Sequence, residues 1–543
     1  MGQRAEGSAR DHALAVLRVR NWFLAGALLP AAGAALAVTA VANGYLAAGW
    51  TPLRWAALAA VVLVSAAALL VAASIARARP PVTPTLPVPE RSAPALYALI
   101  ADLADRLDVP APSGIALTPD CDSWLEEPPR RGGAPDDGVP GPFTADRRSS
   151  GRPAPVLVIG SPFLWWMRTP ELRALLAPVV AGTGPSRHPD IAAARRCIRG
   201  LDAAAGAGAA PEATPLRRPV TAAAAAVARA MLRRIGSHAT EMERGVAAAA
   251  SARARHVDPA LRQAAQEQVG LAFAGWDRLL TRVALPAWRL GRWPGRLNAG
   301  VVSSLTELSR RDRLADGFGE RLGERPACDL LEDPGAVDRE VSLLAARLFH
   351  GPPPAGPGAP TPAWEAVSWS AYPAQIVDRL WRERAARLAD ALGGAAVPAR
   401  GGERAPALGA VLLRLASDDG DFTDALAARL AAATARAEHD AEPVAPASTI
   451  AAAPLAFPAP PPPSGRELLA QHVAAAVCRT VVDTAGGAPA LDWLDGPVLT
   501  VDGERAPDLS DVVLALVDEG DPEPLRGWLA EVGVHSEKLV RRV

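Results

Sequence analysis

Cysteine is scarce in this chain. Four occur in 543 residues (Cys121, Cys197, Cys328 and Cys478), widely scattered and never as a C-x-x-C pair. That excludes a zinc site built from paired thiolates, and it fits a reducing compartment or plain buried thiols. A surplus of charge is lacking too. Lys plus Arg is 57 against 58 for Asp plus Glu, a net charge of −1, so no basic face is offered to nucleic acid. No G-x-S-x-G, P-loop or G-x-G-x-x-G occurs. Ser161 sits in Gly160-Ser161-Pro162, which is not a nucleophile elbow. What the chain has in quantity is proline and glycine, 53 and 46 residues. They predict several long loops or linkers, and the length allows more than one domain.

The next signal is hydrophobic. Residues 21–53 contain no charge. Residues 22–42 match the ~20 residues a helix needs to cross the hydrocarbon core. Residues 55–76 form a second such run, interrupted only by Ser65 and Ser74. Asn43-Gly44 and Thr51-Pro52 supply the turn, and Trp22, Tyr45, Trp50 and Trp55 sit at the ends, where amphipathic rings favour the membrane interface. Arg4, Arg10, Arg18 and Arg20 precede the pair, Arg77, Arg79 and Arg91 follow it, and only Arg54 lies between. The positive-inside rule then places both termini in the cytoplasm. A buried hairpin in a soluble core is the competing reading, and uncharged runs of this length weigh against it. A cleaved signal peptide does not fit two runs this long.

The expected organisation follows from composition. Residues 1–20 form a cytoplasmic tail, 21–78 a transmembrane helical hairpin, and 79–350 the main domain. Residues 351–363 and 441–465 are Pro-rich linkers. Between them lies a helical region, 364–440, and beyond them a C-terminal α+β region, 466–543. Leu96, Ile100, Leu103 and Leu107 are spaced for one face of a helix. Residues 115–117 and 156–159 read as short strands, and 130–155 as a polar loop. Asp502-Gly503 marks a hairpin turn, and Asp508 and Asp521 read as helix N-caps. The fold class is mainly α with a small sheet.

One stretch carries more specific information. A strand at 156–159 leads into Gly160-Ser161-Pro162, then Phe163, Trp165 and Trp166, then Thr169-Pro170-Glu171-Leu172-Arg173-Ala174-Leu175-Leu176-Ala177. In order and wording this resembles the membrane-bound zinc metallopeptidases of the M48 group, in which the strand, "GSPLLWW" and "PELRALLAHELGH" follow one another. The resemblance covers residues 96–316 and implies a zincin-like helical domain. It also implies that the helix carries H-E-x-x-H. There, two His one turn apart ligate zinc and the Glu activates its bound water. Aligned through Pro170-Glu171-Leu172, the two His positions hold Pro178 and Gly182, and the base position holds Val179. None of these side chains can ligate a metal or move a proton. Downstream, Ser309-Arg310-Arg311-Asp312-Arg313-Leu314-Ala315-Asp316 is similar to the family's "SRRREFEAD", one residue shorter, with Asp312 where the third ligand belongs. An ordinary charged helix face, with Asp316 pairing Arg313, explains the same residues.

Pro178 also predicts a break. It has no N–H for the Ala174 carbonyl and its ring crowds that carbonyl, so the helix is expected to kink or end near Ala177. The family would require zinc, but its ligands are gone, so no cofactor is expected. The expectation is a membrane-anchored, inactive relative that serves as a scaffold for other membrane or cytoplasmic proteins. The alternative is a divergent metallopeptidase with a relocated site using His188, Asp190, His238, Glu241 or Asp312. A third reading is an unrelated anchored helical protein. The aromatic patch reads as core packing.

Overall fold

The structure, a computed structural model, describes residues 2–43, 51–78, 84–126, 154–207, 218–255, 257–297, 300, 326–353, 363–392, 396–398, 404–406, 408–416, 420–441, 463–493 and 495–534. It is mostly helical with four small sheets. Most of the loop expected at 130–155, the segment 309–316 with Asp312, and most of both linkers fall outside the described residues.

The chain starts with helix α1 (Gly2–Ala42), and α2 (Thr51–Arg77) runs back along it. Residues 2–20 are therefore the first half of a continuous helix, where a separate tail was expected. This half is packed: Ala9, Ala13 and Val16 are fully buried against helix α8 (Arg218–Ala254). The approach is close because one partner is glycine. A Cβ on Gly245 would lie 2.9 Å from Ala9 Cβ and 3.0 Å from the Ala5 carbonyl. Arg253 also reaches Glu6 at 2.5 Å. Beyond Asn21, Trp22, Leu24, Leu28, Leu29 and Leu36 of α1 are exposed, as are Trp55, Val62, Leu63, Val64, Leu69 and Leu70 of α2. Among the described residues no helix is long and apolar enough to cross a membrane. Residues 44–50, between the two apolar runs, lie outside those residues.

The main sheet has the order β1 (Leu86–Val88), β2 (Gly114–Thr118), β4 (Val156–Gly160), β3 (Trp124–Glu126). β2 and β4 are parallel and every residue in them is buried. Strands covered on both faces carry continuous apolar runs, as Ile115-Ala116-Leu117 and Val156-Leu157-Val158-Ile159 do. β1 lies in a proline-rich stretch, residues 80–89. Its pairing is antiparallel to β2, and Tyr97 ties the two strands together, donating to the Val88 carbonyl at 2.8 Å and accepting from Ile115 N–H at 3.1 Å. Helix α3 (Pro94–Arg106) starts on a proline at its first turn and buries Leu96, Leu99, Ile100 and Leu103 on one face.

After α4 (Ser161–Trp166) and α5 (Thr169–Ala181) come α6 (Thr183–Ser186), α7 (Pro189–Ala207), α8 and α9 (Pro259–Leu279). Asp258 caps α9 by accepting from Ala260 N–H at 2.9 Å. Its end widens into a π turn over Leu280–Ala284 before α10 (Leu285–Arg289). Buried Tyr372 donates to the Val283 carbonyl in that turn at 2.6 Å, and burial pushes its phenol pKa up. β5 (Arg292–Pro294) pairs in parallel with β6 (Glu365–Val367). α11 (Pro334–Phe349) is capped by Asp333.

The C-terminal part contains α12 (Asp378–Ala391), a small β7–β8 pair (Ala396–Pro398 and Arg404–Pro406), α13 (Leu408–Leu415), α14 (Gly420–Ala441) and α15 (Gly465–Thr484). α15 opens with a capping box: Ser464 Oγ accepts from Glu467 N–H at 3.2 Å and the Glu467 carboxylate accepts from Ser464 N–H at 2.6 Å. The antiparallel sheet β9 (Ala488–Asp492), β10 (Gly496–Val501), β11 (Glu504–Arg505) contains the expected hairpin. Asp502 and Gly503 both take positive φ, 51° and 84°, as a two-residue primed turn requires. Asp508 and Asp521 each accept a backbone N–H two residues on, at 2.9 and 3.0 Å. They precede α16 (Ser510–Leu514) and α17 (Glu523–Glu531).

Candidate functional site

The candidate site is built on the end of β4 and the two helices that follow it. Gly160 closes the strand beneath the 120–122 backbone. A Cβ there would sit 2.5 Å from the Asp120 carbonyl, so only glycine fits. The aromatic patch is core, as read from the sequence: Phe163, Trp165 and Trp166 are buried, and the Trp166 indole donates to Gln268 Oε1 at 2.8 Å. α5 then starts at Thr169-Pro170. Buried Glu171 turns back to accept from Arg168 N–H at 2.9 Å. Its carboxylate is thus committed to the helix start, where a negative charge also meets the positive end of the dipole.

Of the expected kink or end near Ala177, the end is not found. α5 continues through Pro178 to Ala181 and ends at Gly182. The proline removes one backbone hydrogen bond, but the helix is held from both sides of that point. Leu172, Leu176, Ala177, Val180 and Ala181 are buried in the main core. Beyond the end, the Thr183 hydroxyl lies 2.8 Å from the Val180 carbonyl and 2.7 Å from the Pro110 carbonyl, which anchors the next turn. Tertiary burial outweighs a local penalty of about 3 kcal/mol.

The site geometry is therefore that of an intact helix with an inert turn. Pro178 and Val179 are partly buried and Gly182 is buried. A Cβ on Gly182 would already lie 3.4 Å from Leu125 Cδ1, so the turn packs against β3. No side chain at these positions offers a lone pair or a proton. Asp312, the remaining carboxylate of the expected set, lies outside the described residues. The nearby titratable groups are adapted to burial. Cys121 is held well above the usual thiol range, first by burial and then by Asp120 and Asp122. Burial raises the carboxyl of Asp122, and that of Glu126 as well. A protonated thiol is a poor nucleophile.

The residues named for a relocated site do not assemble. His188 Nδ1 lies 3.6 Å from Asp190 Oδ2, and Asp190 also accepts from Arg10 Nε at 3.2 Å. Glu241 pairs with Arg244 on its own helix. His238 meets a partner that sequence spacing did not suggest: His12 of α1, with Nδ1 to Nδ1 at 3.3 Å and ring centroids 5.6 Å apart. The contact comes from the docking of α1 on α8, and residues 226 positions apart leave no local signal. Among the described residues no group of three or more His, Cys, Asp or Glu side chains could hold a metal ion.

Compared with models of known protein families, with curated proteins and with solved structures, the chain matches none.

Proposed function

We propose that the chain is a membrane-anchored relative of the M48 peptidases that has lost the catalytic zinc and serves as a scaffold for membrane or cytoplasmic proteins. One observation carries this reading: an intact, buried helix α5 presents Pro178, Val179 and Gly182 where the chemistry needs two ligands and a base. A fold can outlast its chemistry because site and scaffold are separable. The anchor is supported by the outward apolar surface of the first two helices. Trp22, Leu28 and Leu36 on α1 and Trp55, Leu63 and Leu69 on α2 are all at least 61% exposed. Apolar patches of this extent mark a membrane or partner surface. Both termini on the cytoplasmic side follow from the arginine distribution.

The relocated-peptidase reading gains nothing from Asp190 or Glu241, whose carboxylates are engaged by Arg10 and Arg244, nor from His188, which lies beside Asp190. Two experiments test the proposal. Alkaline carbonate extraction of membranes should leave the full chain in the pellet, and release to the supernatant would remove the anchor. A casein cleavage assay with and without chelator should show no chelator-sensitive activity. Cleavage that is abolished by chelator and restored by zinc would overturn the loss of catalysis.

A further inference from the structure

We infer that the collar of the bundle formed by α1, α2, α7 and α8 binds the anionic phospholipid headgroups of the cytoplasmic leaflet, an inference that rests on the membrane anchor proposed above. The register between the helices places this collar. α8 runs antiparallel to α1: His12 meets His238 at 3.3 Å, and a Cβ on Gly245 would lie 2.9 Å from Ala9 Cβ. At about 1.5 Å per residue, Arg18 lies roughly 9 Å along α1 from His12. In the same direction Arg234 and Arg233 lie roughly 6–8 Å along α8 from His238, and Arg229 roughly 14 Å, level with the start of the apolar run. α2 returns to this level. Its Ile75 and the following Ala78 pack in one apolar cluster with Val19 and Phe23 of α1 and Leu232 of α8, which places Arg77 beside them. Cys197 and Ile198 of α7 pack against the same cluster, so Arg196 and Arg199 flank it.

The charge at this level has one sign. Residues 13–25 of α1, 68–77 of α2, 196–206 of α7 and 226–240 of α8 hold eight arginines and one carboxylate, Asp202. The net charge of −1 for the whole chain hides this concentration, because arginines far apart in sequence meet only when the four helices pack. Five of the eight (Arg18, Arg77, Arg229, Arg233 and Arg234) are exposed, and among the described residues no ion pair engages them. Further from the apolar runs the same helices hold paired arginines: Arg10 with Asp190 at 3.2 Å, Arg195 with Glu243 at 2.6 Å and Arg253 with Glu6 at 2.5 Å. The collar borders the exposed apolar surface that opens at Trp22 and Leu24 on α1 and at Leu70 and Leu69 on α2. A bilayer leaflet presents both complements in that order, acyl chains and then phosphates. Arginine stems lie along apolar surface while their heads stay in the polar layer, and guanidinium forks match phosphate oxygens with paired hydrogen bonds. The cytoplasmic leaflet is the anionic one, and juxtamembrane basic groups are drawn to it.

The test is lipid selectivity of the full chain reconstituted in phosphatidylcholine vesicles. Electron paramagnetic resonance compares the association of spin-labelled phosphatidylglycerol with that of spin-labelled phosphatidylcholine. The wild type should prefer the anionic lipid. Each arginine at an anionic surface is worth about a fivefold change, so the exposed pair Arg233→Gln with Arg234→Gln should lower the preference by about fivefold or more. Arg18→Gln with Arg77→Gln, on the other two helices, should lower it in the same direction. Arg244→Gln, paired with Glu241 and roughly 15 Å further along α8 from Arg234, should leave it unchanged. Raising the ionic strength from about 0.1 M to about 1 M shortens the screening length from about 10 Å to about 3 Å and should remove most of the preference. Equal association of the two lipids with the wild type, or the same preference in the wild type and in both double variants, would overturn the collar. Alkaline carbonate extraction of the same proteins separates this from the anchor: a chain that stays in the pellet without lipid preference loses the collar alone, and a chain released to the supernatant loses both.

Discussion

The docking of α1 on α8 predicts that two glycines in one helix respond to alanine with opposite signs. Gly236 and Gly245 both lie inside α8 (Arg218–Ala254). Alanine is favoured over glycine in a helix interior by roughly 0.8–1 kcal/mol. Nothing lies within 4 Å of a Cβ at Gly236, so Gly236→Ala should stabilise by about that amount. At Gly245 the same Cβ would meet Ala9 Cβ at 2.9 Å, the Ala5 carbonyl at 3.0 Å and Ala9 Cα at 3.1 Å. Two of these contacts are backbone atoms of α1, so no side-chain rotation relieves them. α1 must shift outward by about an ångström, with overpacking worth roughly 1–3 kcal/mol. The propensity gain offsets part of this, leaving a net loss of up to about 2 kcal/mol. The loss falls on docking, because α8 itself becomes a better helix. Hydrogen exchange by mass spectrometry on the full chain should show faster exchange in residues 2–20 for Gly245→Ala, without faster exchange in α8. Gly236→Ala should leave both protected. Slower exchange or a raised thermal midpoint for Gly245→Ala would refute close packing of these helices.

Other predictions follow from burial. Tyr372→Phe removes a donor to the buried Val283 carbonyl, and denaturant unfolding should show a loss of about 1–3 kcal/mol; a neutral result would mean the carbonyl finds another donor. His472 and His350 are held below the usual imidazole range, primarily by burial. The unfolded chain therefore takes up protons first as pH falls through about 6.5, and stability should decline below that pH until the native rings also titrate. His472→Gln should flatten this decline in chemical denaturation at pH 5 against pH 7.5. Burial pushes the Cys478 thiol up to about 12 and holds Cys121 well above its ordinary value, so a maleimide should label neither in the native chain and both after unfolding.

Most of the element order was legible because its signals are local. Apolar spacing marked α3, Asp502-Gly503 marked the β10–β11 turn, and Ser464 and Glu467 show why α15 starts where it does. Three features were not legible, each for a physical reason. The strand β1 lies in a proline-rich stretch whose pairing with β2 is decided by Tyr97 and the core, not by its own propensity. Pro178 reads as a helix breaker, yet the buried face of α5 and the Thr183 contacts hold the turn beyond it. The opposition of His12 and His238 depends on two long helices meeting, which no spacing rule reports. In the candidate site, that the side chains of Pro178, Val179 and Gly182 can neither ligate a metal nor move a proton was readable from residue type alone. The continuous helix that presents them was not.

The central claim is that the helix remains and the metal site does not. Elemental analysis of the full chain, purified without chelator and dialysed against zinc-containing and then zinc-free buffer, tests it most directly. The account predicts zinc well below one atom per chain, unchanged in Asp312→Ala. One tightly held zinc per chain, lost in Asp312→Ala or His238→Ala, would contradict it.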